Sequence, residues 1–279
     1  MPHHRLLRKL EGYGIKGTTL TWIRGFLLDR QQRVNVDNVK SEWRRVTSGV
    51  PQGSVIGPLL FIIFVNDLPD EIQSKVKMFA DDTKTYKVVN RLSDCKDLQI
   101  DLDTISKWAK TWQMGFHPQK CAVMRIGKNP PDFLYTMNDS IENRHALKFV
   151  EEEKDLGVVM DNNLSFRKQI TQQTSKANKI LAIIRRSFQY LPMETLNKLY
   201  KSYVRPHLDY AVAIWNPILK TSADEIEKVQ RRATRMIPGL KRFEYQERLQ
   251  KLKLHSLHYR RLRGGPHYGV QVQDWTHQM

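Results

Sequence analysis

The sequence has 279 residues, 40% of them hydrophobic, which is enough material for one large domain or two ordinary ones with an apolar core. Its longest apolar run, residues 59–65, is far too short to cross a bilayer, its first residues lack the apolar stretch of a signal peptide, and Cys95 and Cys121 are too few for a disulfide framework or a four-cysteine zinc site. The net charge of +17 is unevenly spread: residues 1–160 carry 24 Lys and Arg against 20 Asp and Glu, whereas residues 161–263 carry 22 against 8, an excess that points to a polyanionic partner.

Taken in chain order, Leu6, Leu7 and Leu10, then Leu20, Trp22, Ile23, Phe26 and Leu27, recur at three- and four-residue steps and predict two short helices. Residues 33–36 and 43–46 alternate around Asp37-Asn38, which tolerate positive φ, and predict a β-hairpin. Gly57-Pro58 opens an apolar helix over residues 59–65, since proline suits a first helical turn. Residues 76–80 and 83–88 alternate on either side of Asp81-Asp82 and predict a second hairpin with the aspartates at its turn. From Asp94 to Trp112 the apolar positions Leu98, Leu102, Ile105, Trp108 and Trp112 trace one face of an amphipathic helix packed on a sheet.

Residues 122–126 and 156–160 read as further strands, separated by a Pro130-Pro131 loop and by the acidic Glu151-Glu152-Glu153. Beyond Asn163 the pattern turns helical: Ile170, Ala177, Ile180, Leu181 and Ile184 mark one helix, Leu196, Leu199, Tyr200 and Tyr203 the next, and residues 226–237 a third. Residues 264–279 contain neither Lys nor Arg and no helical period, and are expected to form a divergent, disordered tail. His3-His4, and His255 with His258, have no nearby Cys or Asp partners and are assigned to surface or packing roles.

Two elements carry chemistry. Adjacent aspartates on a tight turn suit nucleotidyl transfer, which uses two divalent ions about 4 Å apart held by carboxylates; a lone Asp-Asp is ordinarily a solvated turn. The second element is Ser48-Gly49-Val50-Pro51-Gln52-Gly53-Ser54, a rigid loop leading into the apolar helix. Its glycines allow backbone to approach a base or sugar, its glutamine offers both a donor and an acceptor, and the helix start beyond it favours phosphate.

The loop, together with Phe79-Ala80-Asp81-Asp82 further along, resembles motifs B and C of reverse transcriptases, especially those of CR1-like and jockey-like non-LTR (LINE-type) retrotransposons. The resemblance implies that Asp81 and Asp82 hold two catalytic magnesium ions, and that Pro51, Gln52 and Gly53 line the template and the incoming nucleotide. Trp112-Gln113-Met114-Gly115-Phe116-His117-Pro118-Gln119-Lys120-Cys121 is similar to motif D, making Lys120 the lysine that would act on the leaving group. Asp155-Leu156-Gly157 resembles motif E, the primer grip, with Leu156 and Gly157 at the primer end. The segments 199–210 and 228–240 look like the thumb and its extension.

The resemblance runs from Pro2 to about Arg263 and implies an α+β fold. Residues 1–160 would be a partial palm, a small antiparallel sheet with helices; residues 161–263 a basic, all-helical thumb. Implied partners are an RNA template, a DNA primer and deoxynucleotides, with no membrane, and the implied location is nuclear without a targeting signal. One departure matters: Pro2-His3-His4-Arg5-Leu6-Leu7 matches the family's segment immediately after motif A, so the first metal-binding aspartate is expected to lie ahead of this sequence. The chain is therefore expected to be an amino-terminally truncated fragment of an RNA-directed DNA polymerase, inactive in isolation. The competing readings are a non-catalytic nucleic-acid-binding remnant and the product of a decayed element.

Overall fold

A computed structural model describes residues 1–127, 130–188 and 190–264. The chain forms two compact units that divide after Val150. The expected disordered tail lies outside the described residues, except for Gly264, which ends the last helix.

The first unit opens with α1 (His3–Gly12) and α2 (Gly17–Leu27), whose apolar stripes bury Leu6, Leu7 and Leu10 against Leu20, Ile23 and Leu27. The predicted first hairpin is two nested pairs. Asp37 and Asn38, at φ 49° and 66°, form a two-residue turn between β2 (Asn35–Val36) and β3 (Val39–Lys40). Outside it β1 (Gln31–Gln32) pairs with β4 (Arg44–Arg45). All four strands are exposed, so no buried face fixes a longer ladder.

Helix α3 (Gly57–Val65) buries Leu60, Phe64 and Val65 in the same cluster as α1 and α2. Strands β5 (Lys75–Phe79) and β6 (Asp82–Tyr86) form an antiparallel hairpin, and α4 (Leu92–Trp112) covers the predicted range. The predicted strand at 122–126 shortens to β7 (Ala122–Val123). Sequence patterning missed the short hairpin of β8 (Thr136–Asn138) and β9 (Arg144–Ala146) altogether, and β10 (Lys148–Phe149) lies parallel to β7. A second cluster gathers Leu68, Cys95, Ile105, Tyr135, Met137 and Leu147, and half-buried Met78 of β5 packs against both clusters.

The second unit begins with β11 (Glu152–Asp155), so the acidic run read as a separator is largely a strand. It pairs with β12 (Val158–Asp161) across a two-residue turn, Leu156-Gly157. Helices make up the remainder: α5 (Arg167–Ser187), α6 (Met193–Leu199), a π-helical segment Tyr200–Val204, α7 (Arg205–Asp209), α8 (Val212–Trp215), α9 (Lys220–Arg235), α10 (Tyr245–Leu252) and α11 (Leu257–Gly264). Their core joins Val158, Ile170, Leu181, Tyr200, Trp215, Ile226 and Leu257. Helices and small two-stranded sheets together make the chain α+β, and no described helix is long and apolar enough to cross a membrane.

Candidate active site

The aspartate hairpin closes one residue earlier than its sequence suggests. Phe79 pairs with Asp82, so the two-residue loop is Ala80-Asp81, and Asp82 is the first residue of β6. Ala80 takes φ 51°, a left-handed conformation uncommon for a residue with a Cβ, yet a two-residue hairpin loop needs such an angle. Asp81 and Asp82 are adjacent and exposed, with Val76, Met78, Thr83 and Thr85 on the half-buried face.

What fixes this hairpin is a residue that sequence reading did not single out. Asp101, on α4 and 1% exposed, accepts the backbone N–H of Gln73 at 3.0 Å and of Ser74 at 2.9 Å, one on each carboxylate oxygen. Those donors immediately precede β5, so the carboxylate sets where the strand begins, and from there five paired residues lead to the aspartates. A signal was available: Asp101 falls between Leu98 and Ile105 on the apolar face of its helix, where an acid has to find partners.

The glycine loop is held from its amino side. Pro2 bridges Ser48, the Gly49 N–H donates to the Met1 carbonyl at 2.8 Å, and buried His3 places its Nε2 2.7 Å from the Gly49 carbonyl, so His3 does have a packing role. Gly49 and Gly53 sit at φ 80° and 77°, angles that glycine adopts without strain. The Ser54 hydroxyl donates to the Pro51 carbonyl at 2.6 Å and accepts the Gly57 N–H at 3.2 Å, which ties the loop to the first turn of α3. Pro51 is half-buried, while Gln52 and Gly53 are exposed.

The far end of α3 is clamped by a buried lysine. Lys9 of α1 donates to the Phe64 carbonyl and to Asp67, both at 2.5 Å, and lies 3.8 Å from the ring centre of Trp112, with Trp108 and Phe64 at 4.7 and 4.8 Å. Asp67 also accepts the Trp108 indole N–H at 3.1 Å, so α1, α3 and α4 share one polar knot. Burial pushes the Lys9 ammonium below its ordinary range, and the Asp67 and Asp70 carboxylates oppose that shift.

The structure places Asp81 and Asp82 side by side at one hairpin tip, the first in the loop and the second in β6, and Pro51, Gln52 and Gly53 together in one loop. Lys120 ends a separate 3-10 turn, Pro118–Lys120, and is exposed. Leu156 and Gly157 belong to the second unit, at the tip of the β11–β12 hairpin. Among the described residues no group of three or more His, Cys, Asp or Glu side chains converges on one point. The aspartate pair still suits magnesium as a partial donor set. That ion takes one or two carboxylates and fills its remaining positions with water and phosphate oxygens.

In the second unit, α9 presents Lys228, Arg231, Arg232 and Arg235 on its exposed side at helical spacing, opposite buried Ile226, Val229 and Ala233. Arg232 also donates to Asn178 of α5, and Arg231 stacks on Tyr245. Exposed Lys241 and Arg242 lie in the next turn.

Residues 1–194 match the family described as reverse transcriptase (RNA-dependent DNA polymerase). The chain is 30% identical over 237 residues to the RNA-directed DNA polymerase from mobile element jockey of Drosophila melanogaster, an alignment covering 78% of this chain and 25% of that protein. The protein of the same name from Drosophila funebris is 30% identical over 234 residues, with the same coverage of 78% and 25%. The probable RNA-directed DNA polymerase from transposon X-element of Drosophila melanogaster is 26% identical over 234 residues, covering 79% and 25%. The chain thus spans about a quarter of the length of the relatives it matches.

Proposed function

We propose a role for this chain from one premise: it belongs to the reverse transcriptase family, among the enzymes of LINE-type non-LTR retrotransposons. In our reading the chain is a piece of an RNA-directed DNA polymerase that adds deoxynucleotides to a DNA primer on an RNA template. Residues 1–160 serve as part of the palm and residues 161–263 as a basic helical thumb and its extension. The observation that carries the reading is the exposed Asp81-Asp82 pair at the tip of a hairpin, Asp81 in its two-residue loop and Asp82 opening β6, whose leading strand is fixed by a buried carboxylate.

Asp81 and Asp82 would hold magnesium, which when bound lowers the pKa of the primer hydroxyl and steadies the departing pyrophosphate. The chain's own groups do the rest of the positioning. Gln52 and Gly53, exposed on a loop with Gly49 and Gly53 in left-handed conformation, offer accessible backbone and an amide side chain to template and nucleotide. Lys120, a point charge on an exposed turn, would neutralise or protonate the leaving group. Leu156 and Gly157 meet the primer end, and the α9 stripe meets phosphates without reading sequence. A nuclear location goes with this reading.

The test is magnesium-dependent primer extension by this chain joined behind the preceding segment of a close relative, which supplies the further aspartate the resemblance expects. Extension that Asp81→Ala and Asp82→Ala each abolish supports the reading; extension untouched by both substitutions rejects it. A second reading, nucleic-acid binding without catalysis, is favoured by the concentration of 22 basic against 8 acidic residues in 161–263. It becomes the better one if the joined protein binds a primed template tightly and extends nothing.

A further inference from the structure

The turn at Leu156-Gly157 is built in an unfavourable way and then held. Leu156 and Gly157 take φ 42° and 85°, and Asp155 pairs with Val158 across them, which is the type I′ geometry that asparagine, aspartate or glycine usually supply at the first position. A leucine there is strained, and such strain persists only where the surroundings over-determine it. The strand that leaves the turn is well anchored, with Val158 buried and the Val159 N–H donated to Gln169 at 3.1 Å. The tip is not buried: Leu156 is 41% exposed.

What holds the tip is Tyr210, 54 residues on. Its hydroxyl donates to the Leu156 carbonyl at 2.7 Å, and its ring edge lies 3.4 Å from the point where a Cβ on Gly157 would sit. Tyr210 is itself 55% exposed, so its placement comes from its backbone rather than from burial. Its N–H donates to the Pro206 carbonyl at 3.0 Å, and its carbonyl accepts the indole N–H of fully buried Trp215 at 2.7 Å. The preceding Asp209 is gripped by Arg260 at 2.7 and 3.1 Å and by Arg205 at 3.4 Å. The strained tip is thereby tied to the helical core of its unit through one phenol.

We propose that Tyr210 is a positioning residue for the primer end: it fixes the Leu156-Gly157 backbone in one orientation toward the terminal sugar-phosphate of the primer strand. The inference rests on the primer-grip reading of Leu156 and Gly157. With the Leu156 carbonyl occupied by Tyr210, the turn presents backbone N–H groups to the primer, and these are the groups a phosphate oxygen accepts from.

Tyr210→Phe removes the hydroxyl and keeps the ring. In the full chain, amide hydrogen exchange at Val158, the paired residue that closes the turn, is expected to rise about fivefold, the worth of one neutral hydrogen bond, while the melting temperature stays within a few degrees. Exchange at the tip that is unchanged in both Tyr210→Phe and Tyr210→Ala overturns the proposal. A second measurement separates it from the reading beneath it: photo-crosslinking from a 3′-terminal thionucleotide of a DNA primer on an RNA template. Wild-type crosslinks at the 156–157 tip that weaken or shift in Tyr210→Phe, at unchanged duplex Kd, support the proposal. Wild-type crosslinks that map elsewhere overturn the primer-grip role and the primer positioning built on it, even if the exchange result stands.

Discussion

The carboxylate of Asp101 receives the backbone N–H of Ser74 at 2.9 Å, and its other oxygen receives that of Gln73, so a buried charge on α4 sets the starting point of the strand that ends at the Ala80-Asp81 turn. Hydrogen bonds to an ionised group contribute about 1.5–3 kcal/mol each, and removing the acceptor leaves two donors to be desolvated. Asp101→Ala is expected to destabilise the chain by about 3–5 kcal/mol in urea titration. Asp101→Asn, which keeps one good acceptor, should cost about half as much. A loss below about 1 kcal/mol for Asp101→Ala would show that the strand start is fixed by something else.

Gly57 is intolerant for a different reason. A Cβ there would lie 2.7 Å from the Ser54 hydroxyl, 3.2 Å from a Val50 methyl and 3.3 Å from the Pro51 carbonyl. Gly57→Ala should therefore displace the 48–57 loop and cost about 1–3 kcal/mol, although its helix position would otherwise favour alanine. Adding Ser54→Ala removes the nearest atom, so the pair should be less destabilised than the sum of the single changes. Strict additivity in a double-mutant cycle measured by thermal or urea unfolding would contradict this account.

Long periodic segments were legible in the sequence, and short ones were not. The stripes of α1, α2, α4, α5 and α9 each bury several residues at helical spacing, and that periodicity survives any tertiary detail. The pairs β7–β10 and β8–β9 run only two or three residues, too short for alternation to register. The acidic Glu152–Asp155 strand escaped because its charges face solvent and its pairing is set by the Leu156-Gly157 turn rather than by a buried stripe. The site divided in the same way. Asp81, Asp82 and the glycine loop were readable from residue type and local spacing. Asp101 and Tyr210 act through partners 27 and 54 residues away, and no local pattern encodes such pairings.

Duplex binding should be steeply salt-dependent. The 161–263 segment carries the surplus charge, and α9 displays four of its cations on one exposed side. In filter binding of an RNA–DNA duplex between about 50 and 200 mM salt, affinity should fall by orders of magnitude. Replacing Lys228, Arg231, Arg232 and Arg235 by Gln should reduce the log–log slope by about 3–4 if each meets a phosphate. A slope that does not change would place the contacts on other residues.

Alkaline pH probes the Lys9 knot. Burial holds the folded-state pKa of Lys9 below its ordinary 10.5, so in the window between the two values the unfolded chain binds more protons than the folded one. In that window the Lys9 contribution to stability rises with pH, and below the folded value the cost of burying the charge is present in full. Burial also keeps the Tyr200 and Tyr245 hydroxyls above their ordinary range, which acts in the opposite direction near pH 10. The informative quantity is therefore a difference. As pH rises toward 10.5, the ordinary lysine value, the gap in unfolding free energy between wild type and the Lys9→Met, Asp67→Asn variant should move in favour of wild type. A gap that is flat or moves the other way would mean that Lys9 is not desolvated.

The chain by itself is expected not to extend a primer at a useful rate, although Asp81 and Asp82 are both presented to solvent. Two ions need carboxylates that bridge them, and here the two come from consecutive residues, Asp81 in the loop and Asp82 at the start of β6. Among the described residues no group of three or more His, Cys, Asp or Glu side chains gathers at one point, and magnesium on two carboxylates takes its other ligands from water and phosphate oxygens. Losing about 4 kcal/mol of transition-state stabilisation is about a thousandfold in rate, and ions held from one short segment would align the primer hydroxyl with the nucleotide phosphate loosely. The assay is incorporation of deoxynucleotides on a primed RNA template with magnesium, comparing the chain with its Asp81→Ala variant. Background incorporation, identical in both, is the expected outcome. Incorporation by the chain that Asp81→Ala stops would show that Asp81 works with another ligand of its own chain, and a scan of Asp67, Asp70 and Glu71, the acidic residues preceding β5, would be the way to find it.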